Sequence, residues 1–194
     1  MTEQLNPIRI VAFSGNVQRP SKSRALAETI AETIAQKLPA SIEQYDVLDG
    51  QPGLGTALSR ADLSPEALSV VEAIEKADVL VVSTPTYKGS YTGLFKHLID
   101  FVDPKALNGV PVVISATGGG QRHALTIEHQ LRPLFGFFSA WTIPAGIFAE
   151  DKNFEDGRPA DPALLARIEL AANQVVAAFP GRRATLSDAE TLSG

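Results

Sequence analysis

The chain has 194 residues, 44% of them hydrophobic and 20% charged, the composition of one globular domain with a full core. Cysteine is absent, which excludes disulfides, thiolate catalysis and Cys-ligated zinc or iron–sulfur clusters, and a net charge of −5 without a Lys/Arg cluster leaves no footprint for nucleic acid. No apolar run approaches the roughly 20 residues of a membrane span, and Met1 to Arg9 is polar with no leader pattern, so a cytoplasmic protein with no membrane contact is expected.

The first strand is Ile8 to Phe13, followed by a polar loop and an amphipathic helix from about Ser23 to Leu38, stopped by Pro39. Ser41 to Val47 reads as a weaker, edge-type strand. Ser64-Pro65-Glu66 places an N-cap before a proline at the first helical position and opens a helix to about Lys76. Asp78 to Ser83 is the third strand, Gly93 to Phe101 a helix, and Val110 to Ala116 the fourth strand. Runs as continuously apolar as these suit strands covered on both faces. A helix from His123 to Phe138, a fifth strand from Trp141 to Ala149 and a last helix from Pro162 to Phe179 complete the pattern. Strand and helix alternate, so the expected fold is α/β: a three-layer sandwich around a five-stranded parallel sheet of order 2-1-3-4-5. One domain over residues 1–180 is expected, with a frayed tail over residues 181–194.

In that architecture ligands bind beyond the carboxyl ends of the strands. Three loops leave those ends with unusual composition. The first, Ser14 to Arg24, precedes a helix start, where free N–H groups and the helix dipole favour a phosphate. Ser21 and Ser23 can add hydroxyls and Arg19, Lys22 or Arg24 charge; the plainer reading is that Ser21 or Ser23 only caps the helix. Neither a Walker A loop nor a Gly-x-Gly-x-x-Gly turn is present. The second loop, Thr84-Pro85-Thr86-Tyr87-Lys88-Gly89-Ser90-Tyr91-Thr92-Gly93, can accommodate a flat ring through Tyr87 or Tyr91 and the close approach of backbone at its glycines. The third, Thr117-Gly118-Gly119-Gly120-Gln121, offers clustered N–H groups suited to developing negative charge. Together they describe a mononucleotide site that binds phosphate and ring separately.

These motifs, with His129-Gln130-Leu131-Arg132-Pro133-Leu134, resemble the flavodoxin-like NAD(P)H-dependent FMN reductase family, and among its members the flavin reductases of two-component sulfonate monooxygenase systems. The similarity runs from about Ile8 to Ala149. It implies that Ser14, Arg19, Ser21 and Ser23 hold the FMN phosphate, that Pro85, Thr86, Tyr87, Lys88, Gly89 and Ser90 line the isoalloxazine, and that Thr117, Gly118 and Gly119 approach its pyrimidine edge. It further implies NADPH or NADH as hydride donor to flavin N5, a flavin-dependent monooxygenase as partner in sulfur metabolism, and a homodimer or homotetramer. Hydride transfer depends chiefly on positioning, so no catalytic acid or base is assigned.

Pro133 removes an N–H and crowds the carbonyl of His129, which costs about 3 kcal/mol in a regular helix. A local irregularity is therefore expected there, and the resemblance implies a π-type turn at His129 at a subunit interface. Phe135, Phe137, Phe138 and Trp141 are shared between core and interface on this reading.

No Gly-x-Ser-x-Gly elbow supports a hydrolase. His123 and His129 would lie about 240° apart on a regular helix, so no metal site is expected. Two alternatives keep the flavin: an NAD(P)H quinone, azo-dye or chromate reductase with tightly bound FMN, and a non-enzymatic flavodoxin-type electron carrier.

Overall fold

The computed structural model describes residues 7–180. The sheet order is the expected one. Strands β1 (Ile8–Ser14), β2 (Ala40–Asp46), β3 (Val79–Pro85) and β4 (Pro111–Thr117) are joined by helices α1 (Lys22–Ala35), α2 (Pro65–Glu75) and α3 (Gly93–Ile99). With β5 (Trp141–Thr142) they run parallel in the order β2-β1-β3-β4-β5, with β2 at one edge.

Alternation along each strand splits the core in two. Val11, Phe13, Leu80 and Val82 face α2 and α3 and pack on Val71, Ile74, Phe95 and Leu98. Ile10, Ala12, Val79 and Val81 face the other way, onto Leu26 and Ile30 of α1 and Ile168 and Ala172 of α5 (Pro162–Ala177). Burial on both faces explains why β1, β3 and β4 read as unbroken apolar runs. Helix starts follow the sequence signals: Ser64 and Asp161 cap α2 and α5, each with a proline in the first turn.

Two expected elements are broken. The strand expected over Trp141 to Ala149 is two short pieces, β5 (Trp141–Thr142) and β6 (Ile147–Ala149), both against β4. Pro144 between them has no N–H to give to the ladder. Gln174 Oε1 and the Arg132 guanidinium satisfy the backbone at the break, binding Ala145 N at 2.9 Å and Ile143 O at 3.2 Å. The helix expected over His123 to Phe138 is a 3-10 turn (Gln121–His123), a π-helical turn (Ile127–Leu131) and α4 (Arg132–Phe137). The Arg132 N–H reaches back five residues to Ile127 O. This puts Pro133 in the first turn of α4, where a missing N–H disrupts little.

A hairpin not expected from the sequence, β7 (Phe154–Glu155) with β8 (Arg158–Pro159), precedes α5. Of the aromatic cluster, Phe135 and Phe138 are core, while Phe137 is 70% and Trp141 43% exposed. Among the described residues no helix is long and apolar enough to cross a membrane. The expected tail over residues 181–194 lies outside the described residues.

Candidate functional site

The sheet register aligns the strand tips. Ser14 stands opposite Asp46 on β2 and Ser83 on β3, Pro85 opposite Thr117, and Thr117 opposite Ala149. The loops leaving β1, β3 and β4 therefore start from one edge.

In the first loop Ser21 is the N-cap of α1, its Oγ accepting from Arg24 N at 3.3 Å. No backbone acceptor among the described residues takes an N–H from Asn16 through Ser23, the condition under which a helix start binds an anion. Ser23 does something the sequence did not suggest: its hydroxyl lies 2.6 Å from that of Thr117, tying the first loop to the third. The hydroxyl of Ser14 and Oδ1 of Asn16 are buried without a protein partner.

Arg19, expected beside a phosphate, is turned the other way. It binds Asp46 through Nε at 2.7 Å and Nη2 at 2.8 Å, and Asp49 at 2.6 Å. Arg24 Nη1 and Asn16 Nδ2 reach the same Asp46 Oδ2, at 2.7 and 3.1 Å. Burial opposes ionisation of Asp46, but these donors and the Leu48 N–H outweigh it and hold the carboxyl below its ordinary range. The two arginines are thus neutralised internally by two aspartates. Anion binding at this loop falls to N–H groups, hydroxyls and Lys22, whose exposed ammonium pairs with Asp151 at 2.8 Å.

The second loop is a tight hairpin. Tyr87 and Ser90 exchange backbone hydrogen bonds of 2.9 and 3.2 Å around Lys88 and Gly89, whose φ values of 54° and 86° belong to a type I′ turn. Thr86 N binds Thr117 O at 2.7 Å, joining the second and third loops. Thr92 caps α3 and donates its hydroxyl to Gly15 O at 2.7 Å, joining the second and first. Tyr87 is 46% exposed; Tyr91 packs on Phe95 with centroids 5.8 Å apart. Of the two aromatics left open by the sequence, Tyr87 is the one presented. Thr86 Oγ1 is buried and unpartnered.

In the third loop Gly118 N binds Ala149 O at 3.0 Å. A side chain at Gly118 would meet Phe148 at 3.0 Å, whereas nothing lies within 4 Å of a Cβ placed on Gly89, Gly119 or Gly120. The second and third loops therefore present bare backbone to open space. A mononucleotide fits these features: free N–H groups for its phosphate, open backbone for a flat ring, and orphaned hydroxyls at the strand tips that a polar ligand or water would satisfy.

Asn16, Asp46, Thr92 and Gln130, which accepts from the Ser90 hydroxyl at 3.1 Å, order the loops and were not singled out by sequence. An Asp between Tyr45 and Val47 at a strand end was the available signal, since a charge in that setting requires partners. A larger recess of about 740 Å³ lies away from the loops, beside α2 and α3, where Arg60 is engaged by Glu75 and Phe101 O.

Residues 8–155 match the family described as NADPH-dependent FMN reductase. An FMN reductase (NADPH) of Pseudomonas aeruginosa is 42% identical over 177 residues, 91% of this chain and 95% of that protein. A protein of Pseudomonas putida, NADH-dependent FMN reductase SfnE, is 44% identical over 178 residues, 92% and 96% of the two chains. The crystal structure of an oxidoreductase from Corynebacterium diphtheriae superposes with a TM-score of 0.79 at 32% identity, covering 89% of this chain and 96% of that one. With the sheet order and the three converging loops, these matches make the chain a member of the NADPH-dependent FMN reductase family.

Proposed function

We propose that the protein is an NAD(P)H:FMN oxidoreductase that delivers reduced flavin to a partner monooxygenase of sulfonate metabolism in the cytoplasm. The observation that carries the reading is the joining of three strand-tip loops, by Ser23 to Thr117, Thr86 to Thr117 and Thr92 to Gly15, into one frame with a helix start at one end and open backbone at the other. The names of relatives at 42–44% identity, FMN reductase with NADPH or NADH as donor, support the activity, and the resemblance of the loop motifs to flavin reductases of two-component sulfonate systems supports the sulfonate-linked partner. A homodimer or homotetramer is part of the proposal, supported by the exposed Phe137 beside an apolar groove of α3 and α4.

When bound, FMN supplies the hydride acceptor for NAD(P)H. The chain supplies placement. Ser21 and Ser23, with the N–H groups before α1 and the unpartnered Ser14 hydroxyl, would hold the phosphate, and the neutralised Arg19 supports that loop. Pro85, Thr86, Tyr87, Lys88, Gly89 and Ser90 would form the ledge for one ring face, and Thr117, Gly118 and Gly119 would border the polar edge, where the Gly119 N–H, unlike that of Gly118, is taken by no backbone acceptor among the described residues.

NAD(P)H oxidation measured against free FMN concentration, with and without a quinone, tests this. Saturable dependence on free FMN is expected. A protein that oxidises NAD(P)H only with quinone, irrespective of added FMN, is instead a quinone reductase with resident flavin; absence of NAD(P)H oxidation despite FMN binding makes it an electron carrier.

A further inference from the structure

Beside the ring hairpin lies a second, smaller recess of about 180 Å³, lined by Gly89, Arg122, His123, Leu125, His129 and Gln130 among others. Resting on the reductase reading, we propose that this recess holds a phosphate group of the nicotinamide nucleotide, with Arg122 as its principal cation.

Charge is the first reason. The protein carries a net charge of −5, yet none of the residues lining this recess is a carboxylate. Among the described arginines, Arg9, Arg19, Arg24, Arg60, Arg132 and Arg158 are each paired with Asp or Glu. Arg122 is not: its Nε donates to Nε2 of His123 at 3.2 Å. An imidazole neutralises nothing, and a guanidinium has a fork of further N–H groups shaped for two phosphate oxygens. His129 lines the same recess and can add a ring N–H donor.

Position is the second. Gly89 is part of the ring hairpin, and Gln130, on the π turn, grips Ser90 of the same hairpin at 3.1 Å. The recess therefore borders the ledge for the flavin ring, over whose open face a nicotinamide must stack, while the arginines of the first loop are committed to Asp46 and Asp49. Two anions are separated on this arrangement: the FMN phosphate at the start of α1, and the dinucleotide phosphate on the outer side of the hairpin.

Equilibrium binding of the non-reducing nucleotides NADP+ and NAD+ to the FMN-saturated protein, by titration calorimetry, tests the proposal. Arg122 is exposed, so Arg122→Gln should fold normally. It should raise the Kd for NADP+ by about 10-fold or more, the loss of a charge-assisted contact, while Arg122→Lys loses less and FMN affinity is unchanged. A loss confined to NADP+ assigns the 2′-phosphate, and an equal loss for both nucleotides assigns the pyrophosphate; either supports the site. Arg158→Gln serves as control for an exposed arginine elsewhere, paired with Glu32. Unchanged Kd for both nucleotides, an equal loss of FMN affinity, or the same loss in Arg158→Gln overturns it. A separate FMN titration of the unaltered protein tests the underlying reading: absence of flavin binding defeats that reading, whereas the Arg122 outcomes defeat only the phosphate site.

Discussion

The hydroxyls of Ser23 and Thr117 lie 2.6 Å apart across 94 residues of sequence, both buried, and tie the start of α1 to the tip of β4. Ser23→Ala leaves the Thr117 hydroxyl without its partner, at a cost of about 1–2 kcal/mol in unfolding free energy. Adding Thr117→Val removes the orphan and should recover part of that loss. Urea denaturation of the two single variants and the double variant measures the coupling; strict additivity would show that the pair contributes nothing jointly.

The Lys88-Gly89 turn requires positive φ at both positions. Gly89→Val forces a β-branched residue into that region, at about 1–3 kcal/mol of local strain, and should weaken FMN binding by distorting the hairpin. Lys88→Asn, a residue suited to the turn, keeps the backbone of the ledge and should weaken FMN binding much less than Gly89→Val. Flavin fluorescence quenching on titration distinguishes the two.

Asp46 gives an acid dependence whose sign is fixed. Its carboxyl titrates lower in the folded protein than its ordinary value of 3.8, so its stabilising contribution is complete above that value and is lost as pH falls through the folded one. Asp46→Asn should be less stable than the unaltered protein at pH 7, by less than the roughly 3–5 kcal/mol of a fully buried pair, because Arg19 and Arg24 are partly exposed and can rehydrate. The gap should narrow below about pH 4. Urea midpoints between pH 7 and pH 3 check it, and a gap independent of pH would refute it.

Gln130→Ala frees the Ser90 hydroxyl from the π turn. FMN affinity should fall several-fold, about 1 kcal/mol, with an unchanged far-ultraviolet circular dichroism spectrum. Unaltered affinity would show that the hairpin holds its shape without this tether.

The sheet order was legible because Val79 to Val82 and Val112 to Ile114 are buried on both faces and advertise it. So was the break near Pro133, since a proline's missing N–H is a local fact. The Asp156-Gly157 pair, with φ of 47° and 81°, was also a usable hairpin signal, but its flanks Phe154-Glu155 and Arg158-Pro159 are too short and polar to mark strands. The turning of Arg19 toward Asp46, 27 residues away, was not legible: nothing local to either residue records that the register of β1 and β2 brings them together. The role of Ser23 was hidden in the same way, because Thr117 becomes its neighbour only once β1, β3 and β4 are assembled.

Gly146 sits in the gap between β5 and β6, where a methyl group would stand 2.3 Å from Cγ2 of Ile127. Ile127 opens the π turn whose Gln130 grips Ser90. An edge-strand glycine with no part in ligand contact is therefore mechanically in series with the flavin ledge: a substitution there would be transmitted through the wide turn to the hairpin, and its phenotype would mimic that of a binding-site lesion.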